Sequence, residues 1–127
     1  KSGGSIINIC SMYGVVSANP SNYEGFEFFS NPPNYGSGKA GLIHLTKYAS
    51  VHLAQYNIRV NAISPGPFPN EKVQKNKKFI KKLSEQVPLG RIGKTKELVG
   101  PVLFLLSDAS SYITGANIIV DGGWTVK

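Results

Sequence analysis

Three short apolar runs rich in β-branched residues constrain the fold of this chain more than any other feature. They are typical of buried strands and span Ser5–Cys10, Ile58–Ile63 and Asn117–Val120. Helical segments separate them, from about Tyr35 to Gln55, from Glu71 onward, and from Thr95 to about Ser107. Strands that alternate with helices favour parallel pairing through right-handed crossovers. The sequence therefore predicts an α/β fold, half of a doubly wound parallel sheet, with three strands and crossover helices.

The first strand predicts a neighbour that the chain does not supply. The run Ile6–Ile9 is apolar on both faces, as an interior strand would be, and an exposed edge of that character would favour aggregation. The chain opens on Lys1, and Met12 is its only methionine. We therefore expect residues 1–127 to form one partial domain of a longer protein.

Composition excludes several kinds of site. Cys10 is the only cysteine, so an internal disulfide and a four-cysteine zinc site are impossible within one chain. With His44 and His52 outside any cluster of ligands, we expect no metal site. The longest run without a polar residue, Leu98–Leu106, is too short to span a bilayer and is assigned to the core. Because no signal-peptide pattern opens the chain, we expect a cytoplasmic location and no membrane partner.

Most of the net charge of +7 comes from one segment. Residues 71–82 hold six lysines and one glutamate, a net charge of +5. The apolar residues there recur on one helical face, at Val73, Ile80, Leu83 and Val87. The lysines would then cover the solvent side of an amphipathic helix. A patch for anions or nucleic acid is the alternative, but such surfaces normally interleave arginines and aromatics with lysines. We expect a solvated face and no nucleic-acid partner.

A tyrosine and a lysine one helical turn apart are the first candidates for chemistry. Tyr35 and Lys39 open the second predicted element, and their spacing puts both side chains on one helix face. A nearby cation favours the phenolate form, which a tyrosine needs to exchange protons near neutral pH. A tyrosine and a lysine at this spacing are common, so the assignment depends on the residues expected nearby. Ser11 and the turn Ser64–Pro67 each follow a predicted parallel strand, at the edge where open α/β sheets bind ligands.

Several motifs, in this order along the chain, resemble the short-chain dehydrogenase/reductase family. They are Gly4–Ser11, Tyr35-x-x-x-Lys39-Ala40-Gly41, Ile58–Gly66, Leu103–Asp108, Ile113–Gly115 and Ile119–Gly123. The resemblance covers nearly the whole chain. It implies a Rossmann-like fold, of which these residues are the carboxyl-terminal, catalytic half. It also implies NAD or NADP as the cofactor and a homodimer or homotetramer as the assembly.

The same resemblance assigns roles to single residues. It implies that Ser11 hydrogen-bonds the substrate oxygen and that Tyr35 is the general acid or base. Lys39 would activate Tyr35, and both would contact the nicotinamide ribose. Pro65 and Gly66 resemble the turn that borders the nicotinamide.

The chain departs from the family pattern at three places. The usual pair of serines is Cys10 and Ser11 here, so Ser11 is the catalytic candidate and Cys10 a buried apolar residue. The threonine often found shortly after Gly66 is missing. The glycine-rich turn that binds the cofactor pyrophosphate would precede Lys1, so we expect the chain alone to bind dinucleotide poorly.

The segment between Ser11 and Tyr35 is longer than is typical of the family. Residues 17–34 contain several aromatic residues and two glutamates. They form either a surface loop packed on its own aromatics or a wall for a sugar-like substrate, with carboxylates accepting hydrogen bonds from its hydroxyl groups. The candidate substrate contacts are Ser11, Tyr13, Tyr23 and Phe68. Parts of this segment are similar to bacterial family members in surface-glycan and flagellin-modification pathways.

Two functions of different classes remain open. The first is an NAD(P)-dependent oxidoreductase that interconverts a carbonyl and a secondary alcohol, with a sugar derivative, a 3-oxoacyl compound or another small carbonyl compound as substrate. The second is a truncated, catalytically silent fragment that acts as an assembly or interaction module. The absence of a glycine-rich turn favours the second for this chain. The presence of Ser11, Tyr35 and Lys39 favours the first for the parent protein.

Overall fold

A computed structural model describes residues 3–127, and within them three parallel strands form one sheet with helices packed against it. The strands are β1 (Gly4–Ile9), β2 (Ile58–Pro65) and β3 (Asn117–Val120), in the spatial order β1-β2-β3. The helices are α1 (Pro33–Leu53), α2 (Glu71–Gln74), α3 (Lys77–Gln86) and α4 (Val99–Leu106). Both strand pairings are parallel, which confirms the predicted fold class. No helix in the described range is long and apolar enough to cross a membrane.

The central strand, β2, supplies the most deeply buried part of the sheet. Val60, Ala62 and Ile63 are essentially inaccessible to solvent. On one side Ile63 pairs with Ile9 of β1, and on the other Ala62 pairs with Asn117 of β3. Because all three strands run in one direction, the segments that follow them emerge at the same edge of the sheet.

A buried asparagine joins β2 to the segment before β3. Asn61 is fully buried, its Nδ2 donates to the Ile113 carbonyl at 2.9 Å, and its Oδ1 accepts from the Ala116 N–H at 3.0 Å. The neighbouring Val60 N–H donates to Thr114 Oγ1 at 3.0 Å. Since water does not reach Asn61, the Ala116 N–H depends on its Oδ1, whereas the Ile113 carbonyl also accepts from Arg59 Nη1 at 3.3 Å.

Apolar side chains of β1 and α4 are exposed, and only the exposure of α4 departs from the sequence-based expectation. In β1, which pairs only with β2 among the described residues, Ile6 and Ile9 are 43% and 50% exposed. In α4, Leu105 is fully buried, whereas Leu103 and Leu106 are more than half exposed. The assignment of this whole run to the core is therefore wrong. A helix that is apolar on all sides buries only the face that contacts the sheet.

The lysine-rich segment forms two helices rather than one. Asn76 Oδ1 accepts from the Phe79 N–H at 3.0 Å and caps α3, while Val73 belongs to the short α2. Phe79 and Leu83 form the buried face of α3, and the sequence analysis omitted Phe79 from that face. Five of the six lysines are exposed, as predicted, and Lys82 is the exception.

We predict that Asn61→Ala lowers the free energy of unfolding by about 2–4 kcal/mol, because it removes both hydrogen bonds of a buried side chain, leaves the Ala116 N–H unpaired and opens a small cavity. Urea denaturation of the wild type and the variant measures the change. The control is Asn34→Ala, at an exposed position in the first turn of α1, where we expect a change within about 0.5 kcal/mol. A loss in Asn61→Ala no larger than in the control would contradict the role given to Asn61.

Candidate active site

Ser11 lies just past the end of β1 and caps the 3₁₀ turn Met12–Gly14. Its Oγ accepts a hydrogen bond from the Tyr13 N–H at 3.1 Å. That bond uses an oxygen lone pair and leaves the hydroxyl proton free to donate. The neighbouring Cys10 is buried, and burial raises the pKa of its thiol, as expected of a packing residue. Ser11 is therefore the available hydrogen-bond donor at this strand end.

Helix α1 presents Tyr35 and Lys39 together near its amino-terminal end. The helix begins at Pro33, whose fixed backbone suits a first helical position. Lys39 Nζ lies 5.8 Å from the centroid of the Tyr35 ring and donates to the Ile9 carbonyl at 2.9 Å. Tyr35 is 37% exposed, so other molecules can reach it. The structure thus places both residues on one face of α1, next to the end of β1.

Two glycines allow the turn that carries Ser11 to lie directly against α1. A Cβ on Gly14 would lie 2.8 Å from the carbonyl carbon of Lys39. A Cβ on Gly36 would lie 2.9 Å from the carbonyl oxygen of Tyr13. Both obstacles are backbone atoms, which cannot rotate away as a flexible side chain can. Glycine is therefore required at both positions for this contact.

A cavity of about 350 Å³ opens beside Ser11 and Tyr35, a volume typical of small-molecule sites. The candidate substrate residues Tyr13, Tyr23 and Phe68 line it as well. Among the described residues, none that lines this cavity carries a charged side chain. The structure therefore brings the catalytic and substrate candidates together around one uncharged space.

The residues assigned to the cofactor lie at the same sheet edge but contribute unequally to the cavity. Pro65 is the last residue of β2, and Gly66 follows it, donating from its N–H to the Val120 carbonyl at 2.9 Å. Gly66 lines the cavity, whereas Lys39 and Pro65 do not. Within residues 3–127 no group of histidine, cysteine and acidic side chains has the arrangement of a metal site.

The inserted segment, residues 17–34, packs mainly on α3. Ring centroids of Tyr23, Phe26 and Phe29 lie 5.9, 5.3 and 4.5 Å from that of Phe79. Tyr23, Phe29 and Phe79 also line the cavity. Phe79 was not predicted to be buried, although an apolar residue four positions before Leu83 is a signal for a buried helix face.

A second contact joins the inserted segment to α3, and it corrects two expectations. Lys82 is half-buried, and its Nζ donates to the Glu24 carbonyl at 2.9 Å rather than pointing into solvent. Glu24 and Glu27 are exposed, and neither lines the cavity. Glu27 instead accepts from the Gly25 N–H at 2.8 Å. The expected carboxylate contacts with substrate hydroxyls are therefore absent from this cavity in the described structure.

The Phe68 wall of the cavity rests on a loop held by an ion pair. Gly93 packs so closely under the Phe68 ring that a Cβ there would collide with it. Two nitrogens of Arg91 donate to the two Glu97 carboxylate oxygens at 2.7 and 2.8 Å, and the Lys94 N–H donates to one of them at 2.8 Å. The Arg91 hydrogen bonds, followed by that of Lys94, lower the pKa of Glu97 to about 2.

We predict that Glu97→Gln lowers the urea midpoint at pH 7 and that the difference from wild type becomes small at pH 2.5. The pKa of Glu97 lies below its ordinary value of 4.5, so its carboxylate stabilises the fold above pH 4.5. That stabilisation is lost as the pH falls through about 2. Glu85→Gln, which removes only an exposed pair with Lys81 at 4.0 Å, is the control. An equal loss in Glu97→Gln at both pH values would rule out the ion pair as its cause.

Known proteins with similar sequences and structures show which family this chain resembles. A family model described as Enoyl-(Acyl carrier protein) reductase matches residues 1–125. The trans-4-hydroxycyclohexanecarboxylate dehydrogenase of Sinomonas cyclohexanicum is 41% identical over 97% of this chain and 42% of its own length. The NADH-dependent L-xylulose reductase of Ambrosiozyma monospora is 38% identical over 97% of this chain and 44% of its own length.

A similar solved structure is a short-chain dehydrogenase from Leptospira borgpetersenii with bound NAD+. It is 44% identical and has a TM-score of 0.84 over 97% of this chain and 45% of its own. This chain therefore spans somewhat less than half the length of the relatives it matches.

Proposed function

This chain belongs to the short-chain dehydrogenase/reductase family, and on that premise we propose that it is the catalytic half of an NAD(P)-dependent oxidoreductase. The proposed reaction interconverts a carbonyl and a secondary alcohol. The observation that supports it is the convergence of Ser11 and Tyr35 on one cavity, with Lys39 beside Tyr35 on the same helix face. The greater length of the relatives agrees with a cofactor-binding half elsewhere in the complete protein.

In this proposal the substrate oxygen is held between Ser11 and Tyr35. The Ser11 hydroxyl donates its free proton in a hydrogen bond to that oxygen, while one of its lone pairs accepts from the Tyr13 N–H. The Tyr35 hydroxyl gives its proton to the oxygen in the reductive direction and takes it back in the oxidative one. Ser11 is held by the turn after β1 and Tyr35 by α1, so both groups are positioned before substrate arrives.

We propose NAD or NADP as the cofactor, and the donors at this edge fit it. A bound nicotinamide supplies or accepts the hydride. Lys39 uses one of its three protons on the Ile9 carbonyl, which leaves two for ribose hydroxyls. Tyr35 is exposed enough to contact the same ribose, and Pro65 and Gly66 close β2 beside it. The related Leptospira structure has NAD+ bound, and the Ambrosiozyma reductase is NADH-dependent.

For the substrate we propose a sugar derivative that contacts Ser11, Tyr13, Tyr23 and Phe68. Polar hydroxyls and aromatic faces line one uncharged cavity, which suits a molecule with hydroxyl groups on a carbon skeleton. The similarity to an L-xylulose reductase agrees with this class. So does the resemblance of the inserted segment to bacterial surface-glycan and flagellin-modification proteins. A 3-oxoacyl compound is the alternative, and the 39% identity to a 3-oxoacyl-[acyl-carrier-protein] reductase of Thermotoga maritima supports it.

The complete enzyme is proposed to be a homodimer or homotetramer. Apolar side chains on the outer face of α1 support this, since Leu45, Tyr48 and Val51 are all more than half exposed. An exposed apolar patch of this kind is typical of protein interfaces.

The proposal predicts that Tyr35→Phe lowers kcat by at least about 100-fold, because the proton donor and acceptor is lost. Binding of NADH or NADPH, followed by fluorescence titration, should remain close to that of the wild type. Tyr112→Phe is the control, since Tyr112 is fully exposed and should retain normal turnover. Turnover of Tyr35→Phe at the control's rate would contradict the role of Tyr35.

A catalytically silent module is the competing function, because the chain spans less than half of its relatives' length. An intact mass of the purified protein, followed by titration with NADH and NADPH, separates the two. A mass well above 13.7 kDa together with cofactor binding supports the enzyme. A mass of 13.7 kDa without binding supports the silent module.

A further inference from the structure

We propose that the paired hydroxyl groups of Tyr13 and Tyr23 select substrates with a hydroxyl group near the reacting carbon. The inference rests on the proposed function and narrows its substrate class to hydroxylated carbonyl compounds and their alcohols. It assigns to this pair a recognition role that is separate from the proton transfer proposed for Tyr35.

The two tyrosines meet inside the candidate site although they come from different segments. Tyr13 lies in the turn after β1, and Tyr23 lies in the inserted segment that packs on α3. Their hydroxyl oxygens are 2.6 Å apart, and the residues are only 7% and 6% exposed. Both line the cavity that Ser11 and Tyr35 also line. The pair is therefore a buried polar element in the wall of the space where substrate is expected.

The two hydroxyl groups have unused hydrogen-bonding capacity that a molecule in the cavity can engage. Each hydroxyl has one proton, and one of the two hydroxyls donates a hydrogen bond to the other. The second proton remains, and within residues 3–127 no protein acceptor takes it. The pair thus presents one free donor together with unused lone pairs. A substrate hydroxyl, which both accepts and donates, matches that combination.

The surroundings keep this pair neutral. Burial is the largest cause that raises the pKa of both Tyr13 and Tyr23. Neither phenol loses its proton near neutral pH, so both act as hydrogen-bonding groups. No charged side chain of the described residues lines the cavity, so the part of the substrate that enters it is also uncharged.

A purely structural pair would behave differently from a selective one. If the two hydroxyls only held the inserted segment in place, their removal would weaken turnover of every substrate alike. If they bind a substrate hydroxyl, an analogue without that hydroxyl leaves the pair partly unsatisfied and is disfavoured. The ratio of kcat/KM for two substrates that differ only in hydroxyl groups therefore distinguishes the two roles.

The experiment uses the complete protein and two ketones with the same four-carbon skeleton, L-erythrulose and 2-butanone. We expect the wild type to prefer L-erythrulose. Tyr23→Phe, which removes one oxygen atom, should reduce the ratio of kcat/KM for L-erythrulose to that for 2-butanone by about tenfold. The loss should be larger for L-erythrulose than for 2-butanone, because only L-erythrulose carries hydroxyl groups that the pair can bind. Tyr13→Phe is the second variant and should shift the ratio in the same direction.

The control is Tyr56→Phe, because Tyr56 is 58% exposed in the turn after α1 and lies outside the cavity lining. It should leave the ratio unchanged. An equal loss for both ketones in Tyr13→Phe and Tyr23→Phe, or a ratio unchanged in both, would overturn the recognition role while leaving the oxidoreductase intact. Reduction of neither ketone by the wild type with NADH or NADPH would instead contradict the proposed function itself.

Discussion

The contact between the turn after β1 and the amino-terminal part of α1 determines how Ser11 and Tyr13 lie relative to Tyr35 and Lys39. It depends on Gly14 and Gly36, where a Cβ would meet backbone atoms of the opposite segment. Close packing of main chain against main chain leaves little freedom for relative movement. Through this contact Ser11 at the strand end and Tyr35 on the helix line one cavity, and Lys39 reaches the last carbonyl of β1. The proposed chemistry therefore depends on close packing of the backbone at Gly14 and Gly36, which positions the side chains of the candidate site.

The opposite wall of the cavity is held by side chains rather than by the backbone. Tyr23, Phe29 and Phe79 pack as an aromatic group, and Lys82 adds a hydrogen bond to the same inserted segment. Aromatic contacts of this kind contribute about 0.5–1.5 kcal/mol beyond the area they bury. The Ser11 and Tyr35 side of the cavity is thus built from the turn after β1 and from α1, and the opposite side from a long segment packed on α3. That division agrees with the general observation that binding residues often lie on loops positioned by a rigid scaffold.

Local patterns predicted the parts of the structure that depend on neighbours in sequence. The alternation of strands and helices, a helix near residues 35–55 and the shared face of Tyr35 and Lys39 all follow from local patterns. The exposure of α4 could not be predicted this way, because an entirely apolar helix carries no signal for which side faces the sheet. The burial of Phe79 had a local signal in its spacing from Leu83, but its contact with Tyr23 and the Lys82 hydrogen bond join segments more than fifty positions apart.

The tyrosine pair illustrates how the polar groups of a cavity indicate the chemistry of its ligand better than the shape of the cavity does. Tyr13 and Tyr23 are ten positions apart in an irregular segment, so no periodicity predicts that their hydroxyls meet. Folding brings the two hydroxyl groups together and leaves one of their protons without a protein acceptor. The hydroxyl proton of Ser11 is in the same situation, because the Ser11 oxygen already accepts a hydrogen bond from the backbone. A buried donor without a protein acceptor is costly unless a bound molecule or water completes it. Two such donors in one uncharged cavity are the groups that, in our proposal, direct the oxygen atoms of a bound substrate.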